Sequence, residues 1–253
     1  MSKLPKAHQF TDLSDYGRPI AKIISKSLQN TRFTAIHITI CFVISGLTAI
    51  FFIIKGHYFY AAFFLILKSI LDAADGELAR LKNTPSYTGR YLDSVSDIIL
   101  NAIFLLTIWH ITNTNFWYTI IAFLGLQLQG TLYNYYYVIL RNRSDGDKTS
   151  RIFEDKTPIA LPGEKQTIVN VLFKVYKILY GSFDKAIYLL DKNASTGKTL
   201  PNWLMTLLSI FGLGFQLLVI AILLISGLKT YIIPYFIITS FLILAFVAIR
   251  KSL

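Results

Sequence analysis

The sequence predicts an all-α, polytopic membrane protein with six transmembrane helices and a short N-terminal amphipathic helix in the membrane interface. Three observations predict it. The chain of 253 residues is 54% hydrophobic, with a mean hydropathy of +0.52. Several apolar stretches reach the roughly 20 residues that a helix needs to cross the hydrocarbon core. Lys and Arg gather in some links and are scarce in those between them, the pattern of cytoplasmic and external loops. Residues 1–253 read as one membrane domain, with a cytoplasmic segment at about 141–200.

The elements follow in order. Over about 16–29, Ile20, Ile23, Ile24 and Leu28 make one helical face, with Lys22 and Lys26 elsewhere. Such a helix suits the interface and equally suits ordinary packing. Spans are expected at about 33–54, 58–82, 89–112, 116–140, 201–226 and 230–249. Pro201 opens the fifth, where proline suits the first helical turn. The links 55–57, 113–115 and 227–229 are short and poor in charge, whereas the segment 141–200 holds eleven Lys and Arg. Six crossings with both termini in the cytoplasm satisfy this asymmetry. Residues 165–190 have helical periodicity and are expected as an interfacial helix or a segment dipping into the membrane.

Composition also excludes classes. No apolar stretch precedes a small-residue cleavage site near the N-terminus, so no cleavable signal peptide is expected. One cysteine, Cys41, gives neither a disulfide framework nor a zinc cluster. The net charge of +11 is accounted for by basic cytoplasmic loops and anionic headgroups, and nucleic acid is not an expected partner. The four histidines are scattered, without metal-ligand spacing.

The acidic residues are the informative ones. Between 33 and 140 they are Asp72, Asp75, Glu77, Asp93 and Asp97, and from 201 onward there are none. A carboxylate in a span costs several kcal/mol unless it is paired, hydrated or bound to metal. Asp72 and Asp75 are three apart, and Asp93 and Asp97 four apart, so each pair shares a helix face. A short link containing Pro85 makes the two helices antiparallel neighbours, which brings the pairs together near the cytoplasmic end. Four such carboxylates need cations between them, and oxygen-only ligands suit Mg²⁺ or Mn²⁺. Gly76, Ala79 and Gly89 leave room for a ligand beside the carboxylates. Arg80 offers a fixed positive charge suited to phosphate. Glu77 is expected to point to water or to a basic neighbour.

The pattern Asp72-x2-Asp75-Gly76-x2-Ala79-Arg80-x8-Gly89-x3-Asp93-x3-Asp97 resembles the signature of the CDP-alcohol phosphotransferase family at all eight fixed positions. The resemblance plus the six-helix layout covers about residues 10–250. It implies an integral membrane enzyme, usually homodimeric, that transfers a substituted phosphoryl group from a CDP-linked donor to an alcohol and releases CMP. It further implies two divalent ions held by Asp72, Asp75, Asp93 and Asp97, with Asp97 also the general base. Gly76, Ala79, Arg80 and Gly89 would shape the nucleotide pocket, and Ser86 matches a position where the family often has a hydroxyl. The family's Pro-Asn-x-(Ile/Val)-Thr pattern is "NTRFT" here, so only Thr34 fits.

The acceptor is less legible. Lys68 lies one turn before Asp72, where it can pair with the carboxylates or reach an acidic substrate. Arg141 and Arg143 close the fourth span, where they serve as positive-inside anchors or as contacts to a phosphorylated acceptor. CDP-diacylglycerol is the expected donor, by resemblance. The alternatives are a CDP-choline or CDP-ethanolamine type donor, or a soluble CDP-polyol. A divalent cation transporter is the competing class, disfavoured by carboxylates clustered toward one face beside an arginine.

Overall fold

The computed structural model describes residues 4, 8–143, 156–197 and 199–253, which form helices with no β-strand among the described residues. Helix α1 (Arg18–Leu28) has proline in its first turn. It is fixed to the third helix by the Ser25 hydroxyl, which donates to the Ala74 carbonyl (2.9 Å). Of its expected apolar face, Ile24 and Leu28 pack inward, while Ile20 and Ile23 stay exposed.

Helix α2 (Ala35–Ile54) is capped by Thr34 and turns at Gly56, whose φ of 74° suits glycine. Helix α3 (Tyr58–Leu81) returns against it, joined by the Ser45 hydroxyl to the Phe64 carbonyl (2.8 Å). Lys82 begins the link to α4 (Tyr87–Thr112) and donates to the carbonyls of Thr31 (2.7 Å) and Phe33 (2.6 Å). The α3–α4 link is thereby tied to the α1–α2 link. Helix α5 (Phe116–Arg143) follows, and α6 (Gln166–Leu190) packs on α4 through an aromatic cluster of Tyr91, Phe173 and Tyr176.

The helix of the expected fifth span is broken in the structure. It is not one helix but α7 (Asn202–Leu208), a 3-10 turn and α8 (Leu213–Ile225), bent by 51°. The N-terminal segment crosses at the break. The Leu13 amide donates to the Ser209 hydroxyl (2.9 Å), and the Ser14 carbonyl lies against Gly214 where a Cβ would not fit. The last apolar stretch is a 3-10 turn followed by α9 (Ile232–Ser240) and α10 (Leu242–Ser252). One core gathers Phe42, Leu65, Phe104, Leu126, Leu217 and Phe236; a second gathers Tyr136, Leu204, Phe211 and Phe246.

Among the described residues, three stretches are long and apolar enough to cross a membrane: Ala35–Ile54, Tyr87–Thr112 and Lys229–Ser252. The bent pair would be a fourth. At 1.5 Å per residue α3 and α5 extend about 36 and 42 Å, long enough for a bilayer core. Their interiors are too polar to stand with the other three, since α3 holds Lys68, Asp72 and Asp75 and α5 holds Gln127 and Gln129.

Candidate active site

Helices α3 and α4 bring three aspartates together. Asp72, Asp75 and Asp93 each present a carboxylate oxygen, and these atoms all lie within 4.8 Å of one another. Asp75 is buried and accepts from the Thr39 hydroxyl of α2 (2.8 Å). Asp93 Oδ1 is buried with no hydrogen-bond partner among the described residues. At an effective dielectric of about 20, like charges this close repel by about 3–4 kcal/mol per pair. An oxygen-only cluster with one oxygen unserved fits a hard divalent cation such as Mg²⁺ or Mn²⁺.

Asp97, one turn beyond Asp93, lies outside this tightest trio. Its Oδ1 pairs with Lys68 Nζ. Lys68 has no solvent exposure and its ammonium lies 4.7 Å from the ring centroid of Phe42. Of its two expected roles, pairing with the carboxylates is the one the structure realises. The Tyr180 hydroxyl of α6 donates to the Ser94 carbonyl (3.0 Å), between Asp93 and Asp97 along α4.

The nucleotide candidates flank this centre. The Arg80 guanidinium lies across Gly76, with Nη1 3.4 Å from where a Cβ would stand. Its Nη2 donates to Glu77 Oε2 (2.9 Å), and its Nε is buried without a hydrogen-bond partner among the described residues. Glu77 does not point to water: it is 5% exposed and shared by two basic neighbours, Arg80 and Arg18 (3.2 Å). Ala79 is partly buried on the same helix.

Ser86 caps α4, accepting from the Gly89 amide (2.8 Å) and donating to Glu164 Oε1 (2.8 Å). The same Glu164 oxygen accepts from the Thr88 amide (2.7 Å). Burial opposes the Glu164 charge, but these donors and the Leu161 amide hold its carboxyl below its ordinary range. Thr34 is an exposed helix cap whose hydroxyl meets His37 Nδ1 (2.7 Å).

The acceptor candidates diverge. Lys68 is in the site. Arg141 is buried near the Tyr137 ring (5.9 Å), and Tyr137 lines a cavity of about 220 Å³ with Asp12, Arg18 and Glu77. Arg143 donates to the carbonyls of Ala194 (3.2 Å) and Ser195, beyond α6. Sequence reasoning missed Thr39, Arg18, Glu164 and Tyr180 as neighbours of the site. The polar placement of Thr39 in an apolar helix is the one signal that was available; the others act across long chain separations.

The fold and site define a helical protein with candidate membrane spans, whose convergent carboxylates suit divalent metal and whose arginine suits phosphate. A sequence model of the CDP-alcohol phosphatidyltransferase family matches residues 32–161, just over half of the chain. No curated protein matches the chain. The chain belongs to the CDP-alcohol phosphatidyltransferase family. It is therefore a transferase of substituted phosphate groups, a family whose members move a phosphatidyl group from a CDP-alcohol to an acceptor.

Proposed function

We propose that the chain transfers a phosphatidyl group from CDP-diacylglycerol to an alcohol such as glycerol phosphate, inositol or inositol phosphate, releasing CMP in one direct displacement. The observation that carries this reading is the convergence of the Asp72, Asp75 and Asp93 carboxylates, with Asp93 Oδ1 buried and without a hydrogen-bond partner among the described residues, within the family signature. Asp72, Asp75, Asp93 and Asp97 would hold two divalent ions, Mg²⁺ or Mn²⁺, which neutralise the donor pyrophosphate and the departing CMP. Thr39 fixes the Asp75 carboxylate. Arg80 receives donor phosphate, and Gly76, Ala79, Ser86, Gly89 and Thr34 border the nucleotide.

The acceptor oxygen attacks the β-phosphorus, its bond to the CMP oxygen breaks, and the hydroxyl proton passes to Asp97. Lys68 sits on Asp97 Oδ1, so Oδ2 takes the proton. Because Lys68 is engaged there, Arg141 is the better acceptor contact, and Arg143 serves as an anchor for the segment beyond α6.

The membrane arrangement proposed is six crossings by α2, α3, α4, α5, α7–α8 and α9–α10, with both termini and residues 141–200 cytoplasmic. Helices α1 and α6 lie at that interface, and the exposed Ile20 and Ile23 support this for α1. A homodimer is proposed on the family resemblance.

The test is CMP release by purified protein. CDP-diacylglycerol is supplied with glycerol 3-phosphate, inositol, inositol 1-phosphate or serine, and in parallel CDP-choline or CDP-ethanolamine with diacylglycerol. Release is expected with the first donor, lost in EDTA and restored by Mg²⁺ or Mn²⁺. Turnover only with the second donor set would overturn the donor assignment; turnover undiminished in EDTA would overturn the metal assignment.

A further inference from the structure

Arg80 does not stand alone. Glu77 Oε2 accepts from Arg80 Nη2 (2.9 Å) and from Arg18 Nη1 (3.2 Å), and Arg18 Nε pairs in turn with Asp15. This chain of four charges runs from the signature helix α3 to α1 and the residues before it, which the family match does not cover. Helix α1 is firmly seated on α3. Ser25 bonds the Ala74 carbonyl, and Ala21, Ile24 and Leu28 cluster with Ile70 and Leu78.

The arrangement is costly for a merely stabilising one. A carboxylate only 5% exposed loses most of its hydration, and replacing such an ion pair by apolar side chains is often neutral or stabilising. What it provides is direction. Each guanidinium makes one charge-assisted contact to the same Glu77 oxygen, which restrains where it lies. Arg80 Nη2 is held by Glu77, while Nη1 lies toward Gly76 and Nε is buried without a hydrogen-bond partner among the described residues. The four groups sum to zero charge, so Arg80 acts through the placement of its N–H groups more than through a surplus of positive field.

We propose that Glu77 and Arg18 are positioning residues: Arg18 holds Glu77, and Glu77 aims Arg80 at the donor phosphates. This rests on the assignment of Arg80 to the donor made above. It gives α1 a part in substrate binding that no contact with substrate requires.

The charges make the test sharp. Glu77→Gln removes a negative charge beside an anion site, so a purely electrostatic role predicts tighter binding of nucleotide. The positioning role predicts weaker binding. Full-length protein in detergent is titrated with CDP plus Mn²⁺ at neutral pH, and thermal stability is recorded in parallel.

Expected are a loss of about tenfold in CDP affinity for Glu77→Gln and about threefold for Arg18→Gln, since directly coupled groups interact by amounts of this order. The double variant should be no weaker than Glu77→Gln alone, and Arg18→Lys should recover part of the loss. Tighter or unchanged binding by Glu77→Gln, or losses that multiply in the double variant, would overturn the proposal. If Glu77→Gln does not fold, Arg18→Gln and its recovery by Arg18→Lys decide the matter, and no loss with Arg18→Gln would overturn it. Arg80→Gln is the separate control: CDP binding unaffected by it would refute the donor assignment itself, whereas loss there with normal binding in Glu77→Gln would refute only the positioning role.

Discussion

Two aspartate centres in this molecule are built on opposite principles. Asp191, at the end of α6, is 1% exposed and served on every side. Its Oδ1 accepts from Arg250 (2.6 Å), its Oδ2 from the Tyr136 hydroxyl (2.7 Å), and its carbonyl from the Tyr135 hydroxyl (3.0 Å). The second Arg250 nitrogen closes on the Asn193 carbonyl (2.8 Å). Among the described residues, the cluster of Asp72, Asp75, Asp93 and Asp97 has an ion pair from Lys68 to Asp97 and leaves Asp93 Oδ1 unserved. The first centre joins α5, α6 and α10 and is complete within the chain. On the proposed function, the second is completed by a divalent cation. The unserved oxygen among converging carboxylates is what motivates reading the second centre as a site.

The contrast can be broken by exchanging readouts. The largest effect is expected at Asp97→Asn. CMP release should fall by about 10²–10⁴-fold, with CDP and Mn²⁺ binding largely kept. Near-normal turnover at neutral pH would remove Asp97 as the base. Next comes Asp191→Ala, which strands Arg250 and should cost about 3–5 kcal/mol of stability. Turnover per folded molecule should be unchanged, as read from detergent unfolding curves beside specific activity. A selective loss of turnover in that variant would dissolve the distinction between the two centres.

A smaller effect sharpens the same point. Asp75→Asn should lose activity that excess Mg²⁺ or Mn²⁺ partly restores, while removing one of several mutually repelling charges should leave the metal-free protein as stable as wild type or more so. Equal destabilisation by Asp75→Asn and Asp191→Ala would argue that both centres are structural.

The smallest effect belongs to Glu164, a carboxylate supplied with donors by the chain itself, as Asp191 is, but lying beside the site. Its folded pKa is depressed because burial is outweighed by the Thr88 and Leu161 amides and the Ser86 hydroxyl. Its contribution is therefore present above the unfolded pKa, near pH 4, and is lost as pH falls through the lower folded value. Glu164→Gln should cost about 0.5–2 kcal/mol at neutral pH, as for other helix caps, and the gap to wild type should close below about pH 4. A gap independent of pH would show that the carboxylate charge is not what caps α4.

Local rules carried much of this molecule. Helix α3 was expected at 58–82 and runs Tyr58–Leu81, and α2 and α4 also fall close to their expected bounds. Apolar length and turn residues such as Gly56 are written in neighbouring positions. Helical spacing likewise put Asp72 with Asp75 on one face, and a short link was enough to bring Asp93 to them.

The sequence by itself thus determined the helical architecture, the family and the carboxylate centre, because each depends on residues a few positions apart or on one fixed motif. The tertiary structure decided which charges are neutralised and by what. Lys68 falls on Asp97, Arg18 reaches Glu77 across 59 positions, and Glu164 reaches Ser86 across 78. It also decided the break at Gly212, where the N-terminal segment crosses the expected fifth span. Pairings of this kind follow from how helices dock, and docking leaves no periodic trace in the order of residues.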